Sequence, residues 1–116
     1  MIVYGISNCD TVRKARRWLD QQQIDYRFHD LRADGIDADT VQQWCQLVSW
    51  EQLLNRRSTT WRQLDENATA AVDQPRAVEL MVSHPTLIKR PVLVTDTGIE
   101  IGFKAARYAE LFNVDE

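Results

Sequence analysis

At the N-terminus the hydrophobic periodicity switches from strand to helix and back to strand, and few architectures accommodate that order. Ile2-Val3-Tyr4-Gly5-Ile6 is a β-branched and aromatic run closed by the turn-forming pair Ser7-Asn8, which reads as a buried strand. After Cys9, the apolar positions Val12, Ala15 and Leu19, with Trp18 beside them, recur at helical spacing, while Arg13, Arg17 and Asp20 fall on other faces. Ile24, Tyr26 and Phe28 then alternate with Asp25, Arg27 and His29, a period of two that predicts a second strand before the turn-like Asp34-Gly35. Strand, helix, strand is a right-handed crossover unit.

The middle of the chain is helical in character. Asp37 is placed to cap a helix whose stripe is Val41, Trp44, Cys45 and Val48. Ser49 with Gln52, and Thr60 with Gln63, have capping-box spacing and predict short helices near Trp50 to Leu54 and Trp61 to Leu64. Pro75 suits a first helical residue ahead of Val78, Met81 and Val82, and His84-Pro85 stops that run. Strand signal returns at Val92-Leu93-Val94-Thr95, and Asp96-Thr97-Gly98 leads into Ile99-Glu100-Ile101 as a hairpin. A last helix from Lys104 buries Ala105, Tyr108, Ala109 and Phe112. The order β-α-β, helical insert at about 37–85, β-β-α predicts an α/β protein with a mixed four-stranded sheet. That is the plan of a thioredoxin-like fold, and 116 residues suffice for one such domain and not for two.

Composition narrows the function classes. Hydrophobic residues at 44% exclude a disordered chain, and no long uncharged apolar run suggests a membrane span. A net charge of −3 argues against a protein that neutralises nucleic-acid phosphates, so no direct nucleic-acid partner is expected. The two cysteines, with no apolar leader after Met1, give no disulfide framework and no secretory signal, so a cytoplasmic location is expected. His29 and His84 have no partners at metal-ligand spacing, and Gly5, Gly98 and Gly102 make no phosphate-cradling loop, so neither a metal nor a permanently bound cofactor is expected. The basic run Arg13-Lys14, Arg16-Arg17 reads as a solvated helix face.

Cys9 is the residue with chemical promise. It follows a strand and a turn at the start of a helix, where unpaired peptide N–H groups and the positive end of the helix dipole favour an anion. Lowering a thiol by two pKa units takes roughly 2.7 kcal/mol of differential stabilisation, more than an exposed helix end usually supplies. A nearby cation is therefore required, and Arg56, Arg57, Arg90 and Lys104 are the candidates. The competing reading makes Cys9 a small buried hydrophobe.

Cys45 reads as core, since it shares an apolar helix face with Val41, Trp44 and Val48. The spacing gives no support to a Cys9–Cys45 resolving pair. A thioredoxin-type redox motif needs a second cysteine three positions after the first, and that slot holds Val12. If Cys9 forms a mixed disulfide, the resolving thiol comes from another molecule. Lys89-Arg90-Pro91 precedes an apparent core strand; the sequence by itself favours a trans bond before Pro91, and Arg90 is either a solvated arginine or a donor fork aimed at an anion.

Three separated segments, Tyr4 to Thr11, Leu53 to Trp61 and His84 to Pro91, resemble the ArsC (arsenate reductase-like) family, most of all its branch of small YffB/Spx-type proteins. The resemblance runs in order over nearly the whole chain and implies a thioredoxin-like fold with a helical insert. It implies Cys9 as nucleophile, Arg90 as the arginine before a cis-proline at Pro91, and Arg57 as a displaced anion-binding arginine, with Asn8 and Lys104 in the thiolate, anion or glutathione site. Arsenate reductases of this type carry an arginine directly after the Leu-Leu pair, where this chain has Asn55; a third family arginine aligns with Phe103, beside Lys104. Spx-type regulators often carry a Cys-x-x-Cys switch, which Val12 interrupts. YffB-like proteins resemble glutathione-dependent thiol reductases. The resemblance therefore implies glutathione as co-substrate and a small oxyanion or disulfide as substrate. A Spx-like module docking a protein partner, and an arsenate reductase, are the other roles it implies.

Overall fold

In the computed structural model, which describes residues 1–114, the chain forms two compact units, Met1–Asp30 with the chain from Arg90 onward, and Leu31–Lys89.

The first unit holds β1 (Ile2–Gly5), α1 (Asp10–Gln21), β2 (Arg27–Asp30), β3 (Val92–Thr95), β4 (Gly98–Ile101) and the terminal helix Ala105–Leu111. The strands form one mixed sheet in the order β2-β1-β3-β4. β1 and β2 are parallel, with Val3 opposite Phe28, whereas β1 with β3 and β3 with β4 are antiparallel, with Tyr4 opposite Val92 and Val92 opposite Ile101. This is the expected α/β architecture with a four-stranded mixed sheet.

One face of this sheet carries the core. Val3 of β1 and Leu93 of β3 meet Ala15 and Leu19 of α1 and Tyr108 of the terminal helix, all fully buried. Complete burial of an aliphatic side chain of this size contributes roughly 1.5–3 kcal/mol. The alternation of β1 and the three-four spacing of α1 thus meet on one surface. Ala105 and Phe112 are half-buried, Phe112 packing against the cluster from outside.

The second strand is shorter than its sequence pattern. The alternation from Ile24 is consumed first by the end of α1: the Ile24 N–H donates to the Leu19 carbonyl (3.0 Å) and the Gln23 N–H to the Asp20 carbonyl (3.1 Å), with Gln23 at φ 58°. This is a Schellman turn, and Ile24 packs onto the cluster containing Leu19 as its hydrophobic partner. The strand begins only at Arg27.

The second unit is helical: α2 (Ala38–Leu47), α3 (Trp50–Leu53), α4 (Thr59–Gln63), α5 (Glu66–Thr69), α6 (Gln74–Ser83) and a 3-10 turn at Pro85–Leu87, which makes the terminal helix of the first unit α7. Asp37 accepts from the Thr40 N–H and starts α2, and Ser49 forms a reciprocal capping box with Gln52. The Thr60–Gln63 box does not form. Ser58 is the cap, accepting from the Trp61 N–H at 3.1 Å, and the Thr60 hydroxyl instead bonds Thr86 at 2.6 Å. Pro75 is the second residue of α6, after Gln74, with Asp73 as its cap. α2 packs on α6, and Leu54 bridges Ile88 antiparallel. Among the described residues no helix is long and apolar enough to cross a membrane.

Candidate active site

Cys9 is the N-cap residue of α1, in extended backbone geometry (φ −84°, ψ 127°). Its N–H donates to the Ile6 carbonyl (3.0 Å) and its carbonyl accepts from the Arg13 N–H (2.9 Å), so the backbone is fixed on both sides of the sulfur. A capping position ordinarily holds Ser, Thr, Asp or Asn, whose oxygen accepts from the peptide N–H two or three residues on. A neutral thiol is a poor acceptor, and no side-chain capping hydrogen bond forms. Ionisation turns the same sulfur into the acceptor that the first turn lacks.

The electrostatics follow from that placement. Partial burial raises the Cys9 pKa, but the Val12 peptide N–H, the hydrogen bond and charge of the Arg90 guanidinium, and the Thr11 peptide N–H together outweigh it, so the thiol lies below its ordinary value. Thr11 and Val12 are the second and third residues of α1, the donors a capping group would engage. Arg90 supplies the required cation. Asp10, next to Cys9, hydrogen-bonds Arg13, whose guanidinium holds the carboxyl below the usual carboxylate range.

Sheet pairing brings Arg90 to the sulfur. Because Tyr4 pairs with Val92, the start of β3 lies beside the end of β1, and the Arg90–Pro91 segment falls next to the turn leading to Cys9. The Arg90–Pro91 peptide is cis, Pro91 is buried, and the Pro91 carbonyl accepts from the Gly102 N–H at 2.8 Å. Asn8 is exposed in that turn, and the Ser7 N–H before it donates to Asp30 at the end of β2 (3.4 Å). Lys104 is the exposed N-cap residue of α7.

Cys9, Arg90, Pro91, Asn8 and Lys104 all belong to the first unit. Arg57 belongs to the second, where it is exposed and its N–H donates to Asn55 Oδ1 at 3.1 Å. Its neighbour Arg56 lies with its guanidinium 5.6 Å from the Trp50 ring and 5.9 Å from the Trp61 ring. Cys45 is also in the second unit; it is half-buried, not fully packed in the core, and burial pushes its thiol up. Val12, in the slot of a resolving cysteine, is fully buried. Both cysteines are free. Among the described residues no group of three or more His, Cys, Asp or Glu side chains converges as a metal site.

The sequence reading invoked the unpaired peptide N–H groups at the helix start without assigning them; the donors are those of Thr11 and Val12, two and three residues after Cys9. The close approach of Gly5 to Val12 gave no signal in the sequence.

The family profile described as the ArsC family matches residues 4–111. The chain belongs to the ArsC family. A solved structure named YFFB protein superimposes with a TM-score of 0.91 at 46% identity, covering 94% of this chain and 96% of that one. The solution structure of an arsenate reductase (ArsC) related protein from Brucella melitensis gives a TM-score of 0.75 at 48% identity, covering 97% and 94%. The global transcriptional regulator Spx 2 of Bacillus anthracis is 25% identical over 105 residues, 89% of this chain and 79% of the regulator. Together these relatives place the chain in the YffB/Spx branch of the family, with its thioredoxin-like fold.

Proposed function

We propose that this ArsC-family protein is a glutathione-dependent thiol reductase working through a single cysteine. Cys9 thiolate attacks the glutathione sulfur of a mixed disulfide; the S–S bond breaks, a Cys9–glutathione disulfide forms, and the substrate leaves as a thiolate. A free glutathione thiolate then attacks the glutathione sulfur on Cys9, releasing oxidised glutathione and restoring Cys9 thiolate. An oxyanion substrate differs in its first steps: Cys9 thiolate displaces a hydroxide, lost as water, from the central atom; glutathione thiolate then attacks the Cys9 sulfur, the bond's electron pair leaves with the central atom, which is reduced by two electrons, and a second glutathione resolves the Cys9–glutathione disulfide as before. Arg90 steadies the thiolate and the incoming anion.

The observation that carries it is the Cys9 sulfur at the N-cap of α1, favoured as thiolate by the Val12 N–H and the Arg90 guanidinium. A fully buried Val12 in place of a resolving thiol is the reason an external thiol is invoked. Mass spectrometry after incubation with oxidised glutathione tests it. One glutathione on Cys9, removed by reduced glutathione, is expected; an unmodified Cys9 that alkylates with the pH profile of a free thiol defeats the proposal.

The Spx relationship favours a second reading, a protein-docking regulatory module with little reductase activity. A pull-down in which Cys9→Ser retains a stable partner, from a protein that turns over no glutathione mixed disulfide, supports that reading instead.

A further inference from the structure

The outward face of α1 concentrates positive charge. Arg13, Lys14, Arg16 and Arg17 put four cations into five residues, and their i+3 and i+4 spacings set like charges side by side, which destabilises an isolated helix. The fold neutralises little of this. Asp10 bonds Arg13, but Lys14, Arg16 and Arg17 make no ion pair among the described residues. Arg16 is held by neutral aromatic groups instead: its Nε donates to the Tyr26 hydroxyl at 3.2 Å, and its guanidinium lies 4.0 Å from the centre of the Phe28 ring.

Arg13, Arg16 and Arg17, with Asp20 and Gln21, line an open groove of about 500 Å³. It runs down α1 from the Cys9 end. Arg13, Arg16 and Asp20 follow Cys9 at i+4, i+7 and i+11, one stripe of a helix with about 3.6 residues per turn, and Arg17 and Gln21 stand beside it. The Arg13 N–H donates to the Cys9 carbonyl (2.9 Å), so the first cation of the groove lies one turn from the nucleophile. At about 1.5 Å of rise per residue, Cys9, Arg13 and Arg17 succeed one another at roughly 6 Å. Alternate residues of an extended chain are about 6.6 Å apart, with their side chains on one face. The two spacings match.

We propose that this groove docks an extended acidic segment of a protein substrate and so presents a glutathionylated cysteine of that segment to Cys9. The proposal rests on the reading of Cys9 as glutathione-reactive and names the substrate class. With the substrate cysteine at Cys9, carboxylates two and four residues along its chain fall on Arg13 and Arg17. Cys9 thiolate attacks the glutathione sulfur, a Cys9–glutathione disulfide forms, the substrate S–S bond breaks, and the substrate cysteine leaves as a thiolate. Asp20, about 4.5 Å further along the helix than Arg17, repels a third carboxylate and limits the pattern to an acidic pair. Asp20, and Asp10 bonded to Arg13, also disfavour a nucleic-acid strand, whose negative charge repeats without a break. The net charge of −3 acts in the same direction.

The test compares the rates at which glutathione transfers to Cys9, read by mass spectrometry of the protein, from the S-glutathionylated peptide Cys-Ser-Glu-Ser-Glu and from its Gln-for-Glu counterpart. Both peptides have blocked ends, and each is also made in the reversed order. The wild-type protein is expected to prefer the acidic peptide, in one chain direction or both, by about threefold or more at low ionic strength, the scale of two exposed ion pairs. Added salt should shrink the preference. Arg17→Ala should reduce it and the double variant Arg13→Ala/Arg17→Ala abolish it, while Arg17→Lys and, in the second unit, Arg76→Ala should keep it. The ratio of two peptides cancels any change in Cys9 reactivity itself. Equal wild-type rates in both directions overturn the docking groove and leave Cys9 chemistry standing, as does an undiminished preference in the double variant. Inhibition by an oligothymidylate as strong as that by the Ser-for-Cys acidic peptide assigns the groove to polyphosphate and also overturns the proposal. No transfer from any peptide removes the reading of Cys9; fluorescence anisotropy of the Ser-for-Cys acidic peptide then decides the groove by itself, binding to wild type and not to the double variant supporting it and no binding overturning it.

Discussion

Gly5 of β1 and Val12 of α1 are in such close approach that a Cβ on Gly5 would lie 2.8 and 2.9 Å from the two Val12 methyl groups. Val12 is fully buried and β-branched, so it has no alternative rotamer into open space. Its peptide N–H is also a donor that favours the Cys9 thiolate. Gly5→Ala is therefore expected to cost about 1–3 kcal/mol of stability by overpacking. It should also displace the first turn of α1 and raise the Cys9 pKa. Thermal unfolding and the pH profile of alkylation check the two effects together; an alanine variant with unchanged values in both contradicts the packing argument.

Arg90 acts on Cys9 through both a hydrogen bond and its charge, and its removal leaves only the peptide donors against the cost of burial. Arg90→Met keeps much of the side-chain volume while deleting the guanidinium. The Cys9 pKa is expected to rise towards that of an ordinary thiol, and alkylation below neutral pH to slow several-fold. Arg90→Lys should recover only part of the effect, because an ammonium supplies the charge without the planar donor fork. Thiolate absorbance followed across a pH series measures this directly.

The two thiols should have opposite pH signatures. The fold lowers the Cys9 pKa, so its contribution to stability is fully present above the unfolded thiol value of about 8.5 and is lost as pH falls through the folded value. Burial raises Cys45, so its contribution is present below the unfolded value and is lost as pH rises through the folded one. The difference in melting temperature between wild type and Cys9→Ser should grow with rising pH, and that between wild type and Cys45→Ser should shrink. A limited dose of iodoacetamide just below neutral pH should label Cys9 and spare Cys45. Peptide mapping that finds Cys45 labelled first reverses the assignment.

The elements legible in the sequence were those with strong periodicity. β1 and α1 carry their core positions at the right spacing, and the β3–β4 hairpin announces itself at Asp96-Thr97-Gly98. Ile24 misled because the apolar residue closing a Schellman turn looks the same as the first residue of an alternating strand. Ser58, Thr59 and Thr60 are consecutive hydroxyl residues, and the capping rule does not choose among them; tertiary bonding of Thr60 to Thr86 does. α5 was missed because Glu66-Asn67-Ala68-Thr69 has no apolar stripe. At the site, Cys9 was legible from purely local pattern. Its pairing with Arg90 was not legible from the pattern, because it depends on β1 and β3 being neighbours across most of the chain; only the family resemblance singled Arg90 out among the four basic candidates.

Tyr108 is the least expected feature of the core. It is fully buried, and its hydroxyl has no hydrogen-bond partner among the described residues. The ring is well placed for apolar packing: Phe103 meets it edge-on at 4.7 Å and Trp18 at 5.7 Å. Burial, and then the charge of Glu100, push its pKa well above the ordinary phenol range, so it stays neutral across the working pH range. A buried donor left unbonded costs about 1–3 kcal/mol relative to a satisfied one. Tyr108→Phe removes the hydroxyl while keeping the ring, and is expected to leave stability unchanged or raise it by about 1 kcal/mol. The denaturant midpoint, with an unchanged slope, reads that directly. A loss of more than about 1 kcal/mol would mean that the hydroxyl is bonded, for instance to a buried water, and that this aromatic cluster is built around a polar contact.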